Sequence, residues 1–122
     1  MSKGYSGFED LDLFKRAYKI SLEIHKLTKN FPKDEQFSIA DQLRRSSKSI
    51  CANLAEGFAR QVASKKEFKR YILIALGSSD ETRVWLRYCL DLGYIEKEKW
   101  ESLSAEYKEI SKMLHGFYKA VK

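Results

Sequence analysis

Apolar residues recur along most of the chain at the spacing of an α-helix. The first series repeats at intervals of four and three residues, which places its members on one helix face. It consists of Leu13, Ala17, Ile20, Ile24 and Leu27. This helix is predicted to begin near Asp10, whose carboxylate suits the positive end of a helix dipole. It is predicted to end at about Lys29, because Pro32 disfavours helical backbone in the residue before it.

Two further helices are delimited by residues that start and stop helices. The second is predicted to start between Lys33 and Ser38 and to reach about Ala59, with a small and polar middle. The third follows a capping box at residues 64–67, in which the serine caps the third amide and the glutamate reaches back. It is predicted to end at Leu92, because Gly93 suits the positive φ of the residue that follows a helix.

The fourth helix follows Ile95 and has the most regular pattern, with apolar residues at intervals of three and four. These residues are Trp100, Leu103, Tyr107, Ile110, Leu114, Phe117 and Val121. Four helices joined by short connections predict an all-α, antiparallel, up-down-up-down four-helix bundle. Residues 8–122 form this single domain, and residues 1–7, with two glycines and two serines, are predicted to be a flexible tail.

The third helix carries more apolar surface than the core of one bundle needs. One stripe suffices to face the core, yet a second stripe of mostly large residues runs beside it. The second stripe supplies the predicted oligomer interface, which consists of Tyr71, Ile74, Ser78, Trp85 and Tyr88. We therefore expect the chain to assemble with copies of itself. The alternative is a broad core face with scattered exposed apolar residues, which is common in monomers.

Positive charge is concentrated in one part of the chain. The net charge is +6, and between positions 44 and 70 eight basic residues face only Glu56 and Glu67. Seven of the eight are candidate phosphate ligands: Arg44, Lys48, Arg60, Lys65, Lys66, Lys69 and Arg70. They predict a surface for a polyanion such as RNA or DNA. The alternative is a solvated helix face with extended basic side chains.

Three charged residues interrupt apolar surroundings. Arg45 and Glu56 lie on about the same face of the second helix, and Glu81 lies on the second stripe of the third. A charge in such a place must be paired or it is costly. We predict a structural ion pair of Arg45 with Glu56 or Glu81 that fixes helix register. The alternative is a polar site at a subunit boundary.

The sequence has no pattern typical of a catalytic or metal site. Neither His25 nor His115 has a glutamate three residues earlier, as di-iron bundles require, and Cys51 and Cys89 are too scattered for zinc. No phosphate-binding glycine loop or nucleophile motif occurs. We expect no enzyme, no cofactor and two buried, reduced thiols. Without a signal peptide or a long apolar run, the cytoplasm is the expected location.

Several motifs, in their order and spacing, resemble the four-helix-bundle family of 23S rRNA intervening-sequence proteins. They cover nearly the whole chain, from position 8 to about position 121. They are Phe8-Glu9-Asp10-Leu11, Phe31-Pro32, Gln42-Leu43-Arg44-Arg45-Ser46, Ser49-Ile50, Asn53, Glu56-Gly57, Gly77-Ser78-Ser79 with Glu81, and Leu92-Gly93-Tyr94-Ile95.

This resemblance implies a bacterial protein that assembles as a homopentamer. It also implies nucleic-acid binding without catalysis, since related accessory proteins of diversity-generating retroelements bind nucleic acid and a reverse transcriptase. The leading hypothesis is an oligomeric RNA- or DNA-binding protein. The alternative is a protein-interaction scaffold whose basic residues only aid solubility. An enzyme would require a hidden site around Glu56 and Glu81.

Overall fold

The computed structural model describes residues 7–121, and this part of the chain contains four long α-helices and no β-strand. Helix α1 spans Asp12–Thr28, α2 spans Ile39–Gln61, α3 spans Lys65–Asp91 and α4 spans Lys97–Ala120. The predicted all-α fold with four helices is therefore confirmed. Of the predicted flexible tail, residues 1–6 lie outside the described residues. Within 7–121, no helix is both long enough and apolar enough to cross a membrane.

Both ends of α1 differ slightly from the prediction because short 3-10 turns flank it. A turn at Phe8–Asp10 precedes the helix, so Leu11, in extended conformation, occupies the N-cap position instead of Asp10. A second turn at Lys33–Glu35 follows Pro32. This turn delays the start of α2 to Ile39, just beyond the interval that the sequence predicted.

The predicted capping signals of α3 are confirmed at both ends, with one exception. The backbone amide of Glu67 donates to Ser64 Oγ at 3.1 Å, which is the first half of the capping box. The second half does not form, because the Glu67 carboxylate accepts from Arg70 instead. At the other end Gly93 adopts φ +79°, and the amide of Tyr94 donates to the carbonyl of Cys89 at 2.8 Å. The amide of Gly93 also donates to the carbonyl of Leu90 at 3.1 Å, and the two bonds complete a Schellman motif that ends the helix.

The core is built from the stripes that the sequence predicts. Buried apolar side chains come from all four helices, and the largest are Tyr107, Phe68, Ile24, Leu43, Ile50, Leu54, Ile72, Leu86, Leu103, Ile110 and Leu114. At an effective 25 cal/mol per Å² of buried apolar surface, each such side chain contributes about 1.5–3 kcal/mol to folding before entropy is counted. The four helices therefore pack as a bundle around one core.

Hydroxyl groups cross the middle of the bundle. The Thr82 hydroxyl donates to Ser46 Oγ at 2.8 Å, and the hydroxyls of Ser79 and Ser111 share a hydrogen bond of 2.7 Å. All four side chains are buried. Because buried polar groups are costly when unpaired, these bonds favour one register of α3 against α2 and α4.

Helices α2 and α3 approach most closely at Gly57. A Cβ at this position would lie 3.1 Å from Tyr71 Cβ and 3.4 Å from both a ring carbon and the carbonyl oxygen of Phe68. Glycine therefore lets the two helices meet where α2 ends and α3 begins. This contact positions the aromatic residue of the candidate site described next.

Candidate nucleic-acid interface

The seven predicted phosphate ligands lie in two separate places. Arg44 and Lys48 stand in the first half of α2, facing the end of α1. The other five surround the connection between α2 and α3 and form the α2–α3 cluster: Arg60, Lys65, Lys66, Lys69 and Arg70. Arg44 and Arg60 belong to one helix and are sixteen residues apart, or about 24 Å at 1.5 Å per residue. The structure thus brings five of the seven together.

The Arg44 side chain makes its hydrogen bonds within the bundle. Its guanidinium donates to Thr28 Oγ1 at 3.1 Å, to Gln36 Oε1 at 3.1 Å and to the Gln36 carbonyl at 2.7 Å. These bonds join the start of α2 to the end of α1 and to the intervening loop. Most of the five guanidinium donors are therefore engaged within the chain, and the role of Arg44 as a phosphate ligand stays a prediction.

Lys48 contacts a neighbouring basic residue. Its Nζ lies 3.0 Å from His25 Nδ1, which can accept only when the imidazole is neutral at that atom. The positive charge of Lys48 lowers the His25 pKa. Burial and then the charge of Arg44 lower the Lys48 pKa. The sequence did not predict this pairing, because His25 and Lys48 lie on different helices.

The α2–α3 cluster combines free and anchored cations. Lys65 and Lys66 are exposed and make no hydrogen bond or ion pair with any other described residue. Lys69 is anchored: its Nζ donates to the Val121 carbonyl at 3.0 Å and lies 4.4 Å from the centroid of the Tyr118 ring. The cluster therefore extends from the end of α2 to the end of α4. No sequence signal links Lys69 to Tyr118, since 49 positions separate them.

Arg60 and Arg70 both lie over the ring of Tyr71. Their Cζ atoms are 5.2 Å and 4.7 Å from the ring centroid, within the range of a cation–π interaction. Each arginine also pairs with a glutamate of its own helix, Arg60 with Glu56 at 3.3 Å and Arg70 with Glu67 at 3.2 Å. We call Arg60, Tyr71 and Arg70 the Tyr71 stack.

The charges of the cluster converge on Glu67. The hydrogen bond from Arg70 lowers the Glu67 pKa, and the positive charges of Arg70, Arg60 and Lys66 lower it further. Cations from both α2 and α3 therefore stabilise the charged form of the Glu67 carboxylate. The two glutamates offset part of the positive charge, so five cations and two anions leave the cluster with an excess of three positive charges.

The predicted structural ion pair does not form. Arg45 lies 3.9 Å from Asp41, Glu56 pairs with Arg60, and Glu81 accepts a hydrogen bond from the Trp85 indole at 3.0 Å. The prediction of an Arg45–Glu56 pair was wrong because eleven helical residues span about 16 Å, too far for contact. Arg45 and Glu81 instead line an open groove between α2 and α3 together with Ser49 and Ser78.

The predicted interface residues lie on the outer side of α3. Ile74 and Tyr88 are exposed by 38% and 51%, which leaves apolar surface available to another molecule. Trp85 is half-buried and its ring lies 5.7 Å from that of Tyr88, while Ser78 donates to Ser49 Oγ at 2.9 Å. Tyr71 differs from the others, since its ring is engaged by two arginines of the same chain.

Histidine, cysteine and acidic side chains do not gather anywhere in residues 7–121 in a group of three or more that could hold a metal ion. Both cysteines are free, with Cys89 buried and Cys51 half-buried. Burial raises the pKa of the Cys51 thiol to about 11 and that of Cys89 to about 12. Both thiols are therefore protonated at neutral pH and are poor nucleophiles.

Comparisons with known proteins identify the family. No curated protein matches the chain. A solved structure from Bacteroides thetaiotaomicron VPI-5482, described as a protein with unknown function from the S23 ribosomal protein family, superimposes with a TM-score of 0.79. It is 29% identical, and the alignment covers 88% of this chain and 96% of the other. The family model of 23S rRNA-intervening sequence proteins matches residues 9–116. The chain therefore belongs to the 23S rRNA-intervening sequence protein family.

Proposed function

We propose that this protein is a non-enzymatic, homo-oligomeric protein, linked to 23S rRNA intervening sequences, that binds nucleic acid, RNA rather than DNA, through a basic patch. The observation that carries the proposal is the α2–α3 cluster, where two unpaired lysines and three anchored cations share one end of the bundle. Lysines that make no ion pair can neutralise phosphates without first breaking an internal bond. The family's link to an rRNA insertion favours RNA over DNA.

The architecture proposed for this function is an antiparallel up-down-up-down bundle that assembles as a homopentamer. Contacts between sequential helices support the antiparallel order, since Ser46 bonds to Thr82 whereas Gly57, later in α2, meets Phe68, earlier in α3. Exposed apolar side chains on α3 support the assembly. Repeating the α2–α3 cluster around a symmetry axis would give a polyanion several binding sites. A sedimentation profile showing only monomer at micromolar concentration would exclude the assembly.

The test is binding to a mixed-sequence RNA pool at several salt concentrations. Lys65→Gln/Lys66→Gln removes the two unpaired cations, and Lys108→Gln/Lys112→Gln removes two exposed lysines of α4 as a matched control. We expect the first variant to weaken binding and to reduce the slope of log affinity against log salt by about 2. The control should change neither quantity.

Two results would contradict the proposal. One is no detectable affinity at about 50 mM salt, where phosphate contacts are strongest. The other is equal loss in both lysine variants, which would mean that only net charge matters. The competing proposal, a protein scaffold, predicts capture of a protein partner that survives nuclease treatment. A reverse transcriptase is one such partner, and it would be captured by this chain with or without nucleic acid.

A further inference from the structure

The Tyr71 stack differs from an ordinary phosphate-binding surface because two guanidinium groups lie within cation–π distance of one aromatic ring. Arg60 comes from the end of α2, and Arg70 and Tyr71 come from α3. The guanidinium groups remain accessible, since the arginine side chains are 48% and 54% exposed. Planar groups held in this way can accept another flat group, such as a nucleobase, by stacking.

The arginines also keep hydrogen-bonding capacity. A guanidinium has five N–H donors. Arg60 uses one of them on Glu56, and Arg70 uses two on Glu67. The remaining donors can reach base edges or phosphate oxygens. The carboxylates fix the orientation of each guanidinium, which lowers the entropy lost when a ligand binds.

The same carboxylates disfavour a double helix at this place. A duplex keeps its bases inside and presents phosphates along its whole surface, so Glu56 and Glu67 would face phosphate charge directly. A single strand can place its backbone along Lys65 and Lys66 and turn its bases toward the stack. The free lysines lie within two turns of Arg70 and Tyr71 on α3, and Arg60 reaches the same ring from α2. One short strand can therefore contact both the lysines and the stack.

We propose that the Tyr71 stack binds unpaired bases of single-stranded or looped RNA. This inference rests on the proposed function and specifies its ligand. The stack supplies base contacts, and Lys65 and Lys66 supply phosphate contacts. The surface therefore selects flexible RNA over duplex RNA of the same length, with little dependence on sequence, because every base has a face that can stack.

The experiment compares a labelled single-stranded RNA of about twelve nucleotides with the duplex of the same sequence, by fluorescence anisotropy on the assembled protein. We expect the single strand to bind at least about fivefold more tightly than the duplex. Tyr71→Leu should lower single-strand affinity by about five- to fiftyfold, with duplex affinity and the salt slope unchanged. Tyr71→Phe, which keeps the ring, should retain affinity.

A second pair of variants avoids reliance on a substitution at a half-buried position. Arg60→Lys and Arg70→Lys keep the charge but remove the planar group, so they should lower only single-strand affinity. Equal loss for both RNAs, or tighter binding of the duplex, would overturn the stacking inference. In those cases the lysine variants still report on the proposed function. Absence of binding by either RNA would overturn both proposals.

Discussion

Replacing Gly57 with alanine tests the close approach of α2 and α3. Alanine in a helix interior is favoured over glycine by about 1 kcal/mol. The added Cβ would, however, lie 3.1 Å from Tyr71 Cβ, an atom fixed to the α3 backbone that no rotamer change can move away. The helices must therefore separate by a few tenths of an ångström.

The crowding should exceed the gain in helix propensity. The carbonyl oxygen of Phe68, at 3.4 Å, is also backbone, and the Phe68 ring is confined by Phe58 and Phe117 at centroid distances of 5.4 Å and 5.6 Å. Overpacking a tight contact costs about 1–3 kcal/mol. Subtracting the propensity gain, we expect Gly57→Ala to lower the free energy of unfolding by about 1 kcal/mol, or about 4 °C in Tm.

Urea unfolding at one fixed protein concentration is the assay, because the stability of an assembly depends on concentration. Gly77→Ala and Gly116→Ala are matched controls, since a Cβ at either position meets nothing within 4 Å. Both lie inside helices and should stabilise by about 0.5–1 kcal/mol. A Gly57→Ala variant stabilised as much as the controls would show that α2 and α3 are not crowded at this position.

Four further predictions concern groups inside the bundle. Tyr107→Phe should cost less than about 0.5 kcal/mol or should stabilise, because the buried hydroxyl makes no hydrogen bond of good geometry within residues 7–121; urea unfolding checks this. Arg44→Lys should lower stability by about 1–2 kcal/mol and leave RNA affinity unchanged. The hydrogen bond that Tyr94 donates to Glu35 raises the Tyr94 pKa from 10.0 to about 12. The folding stability that this bond adds is therefore complete below the ordinary tyrosine pKa and is lost as the pH rises through 12. Tyr94→Phe should therefore narrow the stability difference between pH 9 and pH 11 relative to the unaltered protein. Cys89 should resist alkylation at pH 8 until the protein unfolds, as mass spectrometry would show.

Helix existence and type could be predicted from the sequence because local signals determine them. The apolar periodicity of α4 and the Ser64 and Gly93 caps act within a few residues, and the structure has each of them. Helix starts were less accurate where 3-10 turns intervened, as before α1 and α2. Such turns depend on loop contacts that periodicity does not report.

The candidate site was only partly predictable for a similar reason. The cationic residues near the α2–α3 connection are close in sequence, so their clustering follows from chain proximity. Whether a cation is free or committed depends on partners from distant positions, such as Thr28 for Arg44 and Val121 for Lys69. The Arg45–Glu56 ion pair does not form because the two residues share a helix face but stand about 16 Å apart along the axis. Glu81, the other predicted partner, accepts a hydrogen bond from Trp85 instead.

The bond from Lys69 to the Val121 carbonyl has a practical consequence for purification. A peptide fused after Val121 would leave the bundle beside Lys69 and Tyr118, and therefore beside the α2–α3 cluster. A hexahistidine tail there would add its own affinity for RNA. An acidic epitope there would compete with RNA for the α2–α3 cluster. Helix α1 begins at this same end of the bundle, where Leu11 and Phe117 line one cavity, so an affinity handle at either end of the chain should be cleaved off before binding studies.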